Sequence, residues 1–214
     1  ERLPGGCWQK ERCNLIINNK TGTDVGFGGA FYLNGGELDI SQSFVEENRA
    51  DLGTAIYATG GAAQVTIEGS VFDDNGDEGA DGYSDFHVIG ASLGASVSVR
   101  HSIFAQNDAV NSVFDIGPAG NSSLSLWSSI VYDSSSGGVL GGVSGALSID
   151  CVLVHEDDSF SGTQITVGNP LFFNAPRGDF HLSSASPAID MCQGVPMFNP
   201  RDLDNELRGW DDPE

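Results

Sequence analysis

The chain repeats a segment of eleven residues, and this repeat constrains the fold more than any other feature of the sequence. Copies begin 23 to 32 residues apart, a spacing typical of solenoids and other repeat arrays. The five clear copies are LDISQSFVEEN from Leu38, VTIEGSVFDDN from Val65, VSVRHSIFAQN from Val97, LSLWSSIVYDS from Leu124 and LSIDCVLVHED from Leu147. Weaker copies are LIINN from Leu15 and TQITVGNPLFF from Thr163. We therefore expect equivalent residues to stack on one another.

Each copy opens with apolar residues at alternate positions, which indicates a β-strand. A second short apolar run precedes each of the first four copies, so a repeat holds two or three strands. The sixth position is Ser43, Ser70, Ser102, Ser129 and Val152, and the eleventh is Asn48, Asn75, Asn107, Ser134 and Asp157. Stacked strands lie ~4.8 Å apart, so we expect apolar ladders inside and hydrogen-bonded Ser and Asn ladders at the bends.

A unit of this size cannot bury its own apolar face, and stacking neighbours solves the problem. The sequence thus predicts an all-β fold, a right-handed parallel β-helix (solenoid) of about five to seven coils. A β-propeller is the alternative, but its blades need ~40 or more residues. We expect one structural domain, with an N-terminal cap segment at 1–27, repeats at 28–168, and a closing coil and C-terminal tail at 169–214.

The charge of the chain bears on its partners. Acidic residues number 30 against 9 basic ones, for a net charge of -21. This charge disfavours nucleic acid and anionic membranes as partners, and no apolar run approaches the ~18 residues of a membrane span. The acidic excess provides solubility or ligands for Ca²⁺, the cofactor we expect if there is one. The chain begins at Glu1 rather than Met, as expected of a processed protein or an excised fragment.

The four cysteines are even in number, and none has the C-x-x-C spacing of a metal site. Disulfides in an oxidising compartment are therefore expected, with four free buried thiols as the alternative. Of the three possible pairings we favour Cys7–Cys13 with Cys151–Cys192, because the short first loop closes at the least entropic cost.

Two acidic segments are candidate Ca²⁺ sites. The first, DDNGDEGADGYSD, lies in the longest spacing between copies, and solenoids place function in such insertions. Its candidate ligands are Asp73, Asp74, Asp77 and Asp81. Asp202 and Asp204 belong to the second segment. A solvated acidic loop and an Asp204–Arg208 ion pair are the respective alternatives.

The fourth position of the repeat places four larger side chains in one row on an outer face. They are Glu68, Arg100, Trp127 and Asp150. An acid, a base and an exposed aromatic residue in one row suit the binding of a sugar chain. The alternative is a set of surface ion pairs without a ligand.

The repeats GGAFY…SFVEEN and GTAIY…SVFDDN resemble the GGA-I and F-x-x-N repeats of right-handed parallel β-helix proteins, which include polymorphic outer-membrane proteins and other bacterial surface or secreted proteins. NPLFFNAPRGDFHLSSASPAIDMCQG resembles the closing coil of that group, with its SPAID segment, and DLDNELRG resembles the D-x-D-G-x-x-R element that follows. The resemblance implies an extracellular or cell-surface location and names no reaction.

We expect a non-catalytic structural or adhesive module that binds glycan or protein, or that self-associates in a surface assembly or filament through its open strand edges. The alternative is a polysaccharide lyase or glycoside hydrolase of the pectate-lyase-like superfamily. Such an enzyme needs a basic residue facing an acid cluster, and Arg100 alone is a candidate by its position in the repeat.

Overall fold

The computed structural model describes residues 14–21, 26–76, 86–117, 120–133, 138–141, 145–155 and 162–192. In these residues the chain is a parallel β-solenoid of about four turns. The helical structure described is one 3-10 turn, Ala175–Arg177, and no described helix is long and apolar enough to cross a membrane. The predicted all-β solenoid is confirmed.

Thirteen strands form one continuous sheet and two form a separate antiparallel pair. In chain order they are β1 (Asn14–Ile17), β2 (Phe31–Ser41), β3 (Ser43–Glu46), β4 (Ile56–Glu68), β5 (Val71–Asp73), β6 (His87–Ser92), β7 (Ser96–Arg100), β8 (Ile103–Ala105), β9 (Ser112–Ile116), β10 (Ser123–Tyr132), β11 (Leu140–Gly141), β12 (Ala146–Val154), β13 (Thr163–Val167), β14 (Phe172–Asn174) and β15 (Asp179–Leu182).

The solenoid has three faces, because long strands bend from one face to the next. The first face contains the ends of β2 and β4, β7, and the starts of β10 and β12. The second contains β1, β3, β5, β8, the ends of β10 and β12, and β13. The third contains the starts of β2 and β4, β6, β9 and β11. The pairings match the sequence repeat position by position.

The number of turns is smaller than predicted. A complete turn needs strands on all three faces, and about four turns meet this condition, not the expected five to seven. The LIINN copy contributes only β1, which pairs with β3 on the second face. The TQITV copy contributes only β13, which pairs with β12. The outermost copies thus extend the ladder without closing a coil.

Stacked apolar side chains fill the interior. Phe72 and Phe104 are fully buried and their rings stack with centroids 4.7 Å apart. Phe114, from the third face, packs edge-on against Phe104 at 4.8 Å. From the first face the inward row is Ile40, Ile67, Val99, Leu126 and Ile149. Because neighbouring coils repeat every ~4.8 Å, like residues stay in van der Waals contact along the axis.

A ladder of asparagines lies inside the bend after the second face. Asn48 Nδ2 donates to Asn75 Oδ1, and Asn75 Nδ2 donates to Asn107 Oδ1, each at 2.9 Å. Asn107 Nδ2 donates to Asp133 Oδ2 at 2.8 Å. The predicted stacking of the eleventh-position Asn is confirmed, but Ser134 and Asp157 lie outside the described residues. Asp133, one position earlier, ends the described ladder as an acceptor.

A ladder of serines lies at the bend between the first and second faces. The backbone N–H of Ser43, Ser70 and Ser102 donates to the serine Oγ of the next coil at 3.2 Å. Each Oγ in turn donates to the carbonyl two residues earlier in its own coil. A hydroxyl does both because it is donor and acceptor at once. Val152 ends this ladder.

The closing region packs on the second face. β14 and β15 form the antiparallel pair, joined by the 3-10 turn and by Gly178 in the left-handed conformation. Phe180 of β15 contacts Phe172 of β14 at 5.2 Å and packs with Phe44 and Val71 of the second face. The outer side of that face is thereby covered at β3, β5 and β8.

The predicted disulfide Cys151–Cys192 is present, with the two Cα atoms 5.4 Å apart. It joins the bend inside β12 to the end of the closing region, 41 residues later. Cys7 and Cys13 lie outside the described residues, so their pairing stays a prediction.

Candidate functional site

The row predicted at the fourth repeat position is present on the outer side of the first face. Glu68 pairs with Arg100, Arg100 with Trp127, and Trp127 with Asp150, each one coil from the next. Ser41 precedes the row and Thr163 follows it. We call Glu68, Arg100, Trp127 and Asp150 the mixed row. All four side chains are partly exposed.

Arg100 and Trp127 interact directly within the mixed row. The guanidinium carbon lies 5.3 Å from the centre of the indole ring, within the range of a cation–π contact. Such a contact contributes about 0.5–1 kcal/mol at an exposed site. It also orients the indole and the guanidinium, so a ligand meets both groups already arranged.

Three polar atoms in the mixed row have unused hydrogen-bonding capacity. Glu68 Oε1, Trp127 Nε1 and Asp150 Oδ1 are buried and make no hydrogen bond. An unsatisfied buried polar atom costs about 1–3 kcal/mol. Folding alone gains nothing from leaving three of them in one row, and a polar ligand would offset that cost if these side chains turned outward to meet it.

Beside the mixed row, the first face carries a second outer row rich in hydroxyl groups. Its members are Asp39, Thr66, Ser98, Ser125 and Ser148, at the second repeat position. They are exposed or half-buried. The short side chains of this second row thus lie beside the larger side chains of the mixed row.

The first acidic segment is only partly described, and its two described candidate ligands have separate protein partners. Asp73 is buried and accepts a hydrogen bond from Gln106 Nε2 at 2.7 Å. The half-exposed Asp74 lies 3.7 Å from Arg49 Nη2. Asp77, Asp81, Asp202 and Asp204 lie outside the described residues. In the described part of the chain, no group of three or more His, Cys, Asp or Glu residues could hold a metal ion. Calcium binding therefore stays a prediction.

Sequence reasoning missed a cavity of about 340 Å³ on the third face. His87 and Asp115 line it, with His87 Nδ1 3.7 Å from Asp115 Oδ2. Burial lowers the pKa of His87 below its ordinary 6.5, and the nearby Asp115 carboxylate opposes part of that shift. The sequence did indicate that His87 and Asp115 lie on neighbouring strands, because FHVIG and VFDI precede successive copies and their strands pair.

An aromatic cluster lies on the same face, N-terminal to the cavity along the coil axis. Tyr32 and Tyr57 are one coil apart with nearly parallel rings, 6.3 Å between centroids, and Phe27 lies 5.0 Å from Tyr57. Tyr57 Oη donates to Ser92 Oγ at 3.1 Å, which holds that ring in place. Tyr32 is 53% exposed, so the cluster presents apolar ring faces to solvent.

Comparison with protein-family models, curated proteins and solved structures finds no match to this chain. The likeness to β-helix surface proteins therefore rests on the observed solenoid alone. Function must be argued from the residues of the site.

Proposed function

We propose that this chain is a non-catalytic, extracellular β-solenoid module that binds a glycan along its first face. The observation that carries the proposal is the mixed row, in which Arg100 stacks on Trp127 between two carboxylate side chains. A solenoid repeats its side chains at ~4.8 Å, which suits an extended polymer better than a compact ligand.

The chemistry of the mixed row matches a sugar chain. Sugar hydroxyls both donate and accept hydrogen bonds. The carboxylates of Glu68 and Asp150 accept, and the guanidinium of Arg100 donates. The apolar side of a sugar ring can pack on the indole, whose large flat surface gives much contact at low entropic cost. The neighbouring hydroxyl row adds groups of both kinds.

The charge of the molecule favours a neutral glycan. A net charge of -21 repels a polyanionic chain such as a galacturonan unless a cation mediates the contact. This repulsion also argues against the lyase alternative, whose typical substrate is polyanionic.

The extracellular location is supported by the Cys151–Cys192 disulfide, because disulfides persist in oxidising compartments and are rare in the cytosol. The resemblance of the SPAID segment to bacterial surface proteins supports the same location.

A binding screen tests the proposal. The chain is titrated against neutral and acidic polysaccharides with and without Ca²⁺, and the mixtures are assayed for unsaturated sugar ends. We expect binding to a neutral glycan with no released product. Release of such ends would replace the proposal with the lyase alternative, and the absence of binding to any glycan would overturn it.

A variant of the mixed row assigns the binding to the first face. Trp127→Ala removes the aromatic ring, and we expect the affinity to fall about tenfold or more, as for truncation of a central aromatic residue. Phe173→Ala is the matched control, because Phe173 is 69% exposed in the closing region, away from the first face. Equal losses in the two variants would contradict a site at the mixed row.

A further inference from the structure

We infer that the third-face cavity binds one neutral sugar residue, a second site distinct from the mixed row. The inference rests on the proposed function only for the class of ligand. The cavity of about 340 Å³ lies at the lower end of the range for ligand pockets. Its size suits a single ring rather than an oligosaccharide.

Glycines allow the side chains around the cavity to pack closely. Gly90 and Gly141 pair with Asp115 from the two neighbouring coils, so that carboxylate has no side chain directly above or below it. A Cβ at Gly90 would lie 2.6 Å from the Tyr57 ring and 2.9 Å from the His87 ring. A Cβ at Gly141 would lie 2.5 Å from Ser112 Oγ. Both positions therefore require glycine, because the Tyr57 and His87 rings and the Ser112 side chain occupy the space that a Cβ would take.

His87 has unused hydrogen-bonding capacity at this site. The residue is 3% exposed, and its Nε2 is buried beside Gly90 without a hydrogen-bond partner, so a ligand in the cavity would meet Nδ1. Nδ1 lies 3.7 Å from Asp115 Oδ2, which is too long for a hydrogen bond. Because burial lowers its pKa, the ring is neutral at pH 7 and offers one donor and one acceptor.

The other polar groups complete a lining suited to hydroxyl groups. The carboxylate of Asp115 is one-third exposed and accepts only, and the exposed amide of Asn111 both donates and accepts. Leu52 and Phe86 provide apolar surface for the carbon side of a ring. Asp115 is the one formally charged residue of the described lining at pH 7, so anions are disfavoured.

The aromatic cluster extends the site along the coil axis. Gly90 lies one coil from Asp115. Tyr57 pairs with Gly90 and so lies two coils from Asp115, and Tyr32 pairs with Tyr57 and lies three coils away. A glycan whose end residue occupies the cavity would place its next units over these rings.

Nuclear magnetic resonance on the intact chain tests the inference. The probes are the methyl glycosides of glucose, galactose and mannose, with glucuronate and glucosamine as charged probes. For at least one neutral probe we expect saturable shifts of the Asn111 and Gly141 amides and of the His87 ring, with a Kd of about 1 mM for so small a ligand. Absence of saturation at this site, or tighter binding of glucuronate than of the neutral probes, would overturn the inference, and tighter binding of glucosamine would replace the neutral sugar with a cationic one.

Variants assign the binding to the cavity. Asp115→Asn and Asn111→Ala should each weaken binding of the neutral probe, Asp115→Asn by about tenfold or more. Asp190→Asn is the matched control, since it removes the same charge from an exposed site in the closing region. Asn111 is exposed, so its variant tests the site even if Asp115→Asn fails to fold. Unchanged affinity in the cavity variants would contradict the site.

The two proposals fail separately. Trp127→Ala should leave the methyl glycoside shifts unchanged, and Asp115→Asn should leave polysaccharide binding at the first face unchanged. Loss of methyl glycoside binding in Trp127→Ala would contradict a separate cavity site. If polysaccharide binding depends on Trp127 while no methyl glycoside shifts the His87 ring, the cavity inference alone is wrong.

Discussion

At the scale of single residues, the sharp bend between the first and second faces requires an unusual backbone. The fifth repeat position has a left-handed φ in every clear copy, and Gly69 is the one glycine there. The other residues at this position are Gln42, His101, Ser128 and Cys151. Each non-glycine residue costs about 1–2 kcal/mol in this conformation. The bend is retained because the stacked ladders on both sides depend on it.

Ser128→Gly should therefore stabilise the protein. Ser128 has a φ of 46°, and its hydroxyl is buried without a hydrogen-bond partner. Glycine relieves the backbone strain and removes that hydroxyl, so we expect a gain of about 1–2 kcal/mol in the free energy of unfolding. Urea denaturation measures it. Gly69→Ala is the converse control and should destabilise, and a loss of stability in Ser128→Gly would contradict the assignment of strain.

His87 should make the stability of the chain depend on pH. Its folded pKa lies below the ordinary 6.5, so the unfolded chain binds a proton more readily than the folded chain does. Below pH 6.5 the folded state therefore loses stability until the pH passes the folded pKa. The Asp115 carboxylate lies 3.7 Å from His87 and limits the effect.

The variant His87→Gln removes this dependence. Between pH 7 and pH 5 the unfolding free energy of the wild-type chain should fall further than that of the variant, as measured by urea denaturation at each pH. Comparing the change with pH cancels the cost of the substitution itself. Equal changes in the two proteins would show that His87 is charged or solvated in the folded state.

At the scale of an element, the asparagine ladder adds side-chain hydrogen bonds to the backbone hydrogen bonds that connect neighbouring coils at this bend. Asn75 Nδ2 also donates to the carbonyls of Val45 and Asp73. One side chain thus satisfies polar groups of two coils. Its contribution to stability therefore depends on the ladder members on either side.

The position of a member in this ladder should determine its contribution. Asn75→Ala removes the donor to two buried carbonyls and the acceptor of the Asn48 backbone N–H and side-chain amide, and we expect a loss of about 3 kcal/mol or more. Asn19→Ala, at the exposed end, loses one bond to Asn48 Oδ1 and should cost about 1 kcal/mol. Equal losses, measured by urea denaturation, would show that the ladder members act independently.

At the scale of the whole molecule, the disulfide ties the solenoid to its closing region. The bond closes a loop of 41 residues, so its loss should cost about 2–4 kcal/mol through the entropy of the unfolded chain. Cys192→Ser is the variant of choice, since Cys151 is buried in the bend. We expect a lower midpoint of urea denaturation and loss of most of the sensitivity to reductant. A midpoint equal to that of the oxidised wild type would contradict a stabilising role.

The sequence by itself determined which residues share a row. Side chains alternate with a period of two along a strand, and stacked coils keep one register, so counting within the repeat placed Glu68, Arg100, Trp127 and Asp150 together. The same counting placed Phe72 on Phe104 and identified the Asn and Ser ladders. The cysteine spacing also indicated the observed Cys151–Cys192 bond.

Only the tertiary structure decided where a cavity lies between rows of side chains and which face the closing region covers. The His87–Asp115 cavity depends on how side chains of adjacent coils pack around Gly90 and Gly141, which a repeat alignment does not contain. The packing of β14 and β15 on the second face depends on contacts between residues more than a hundred positions apart. Local periodicity reports the direction of each side chain, whereas empty space and long-range cover arise only when whole coils are placed against one another.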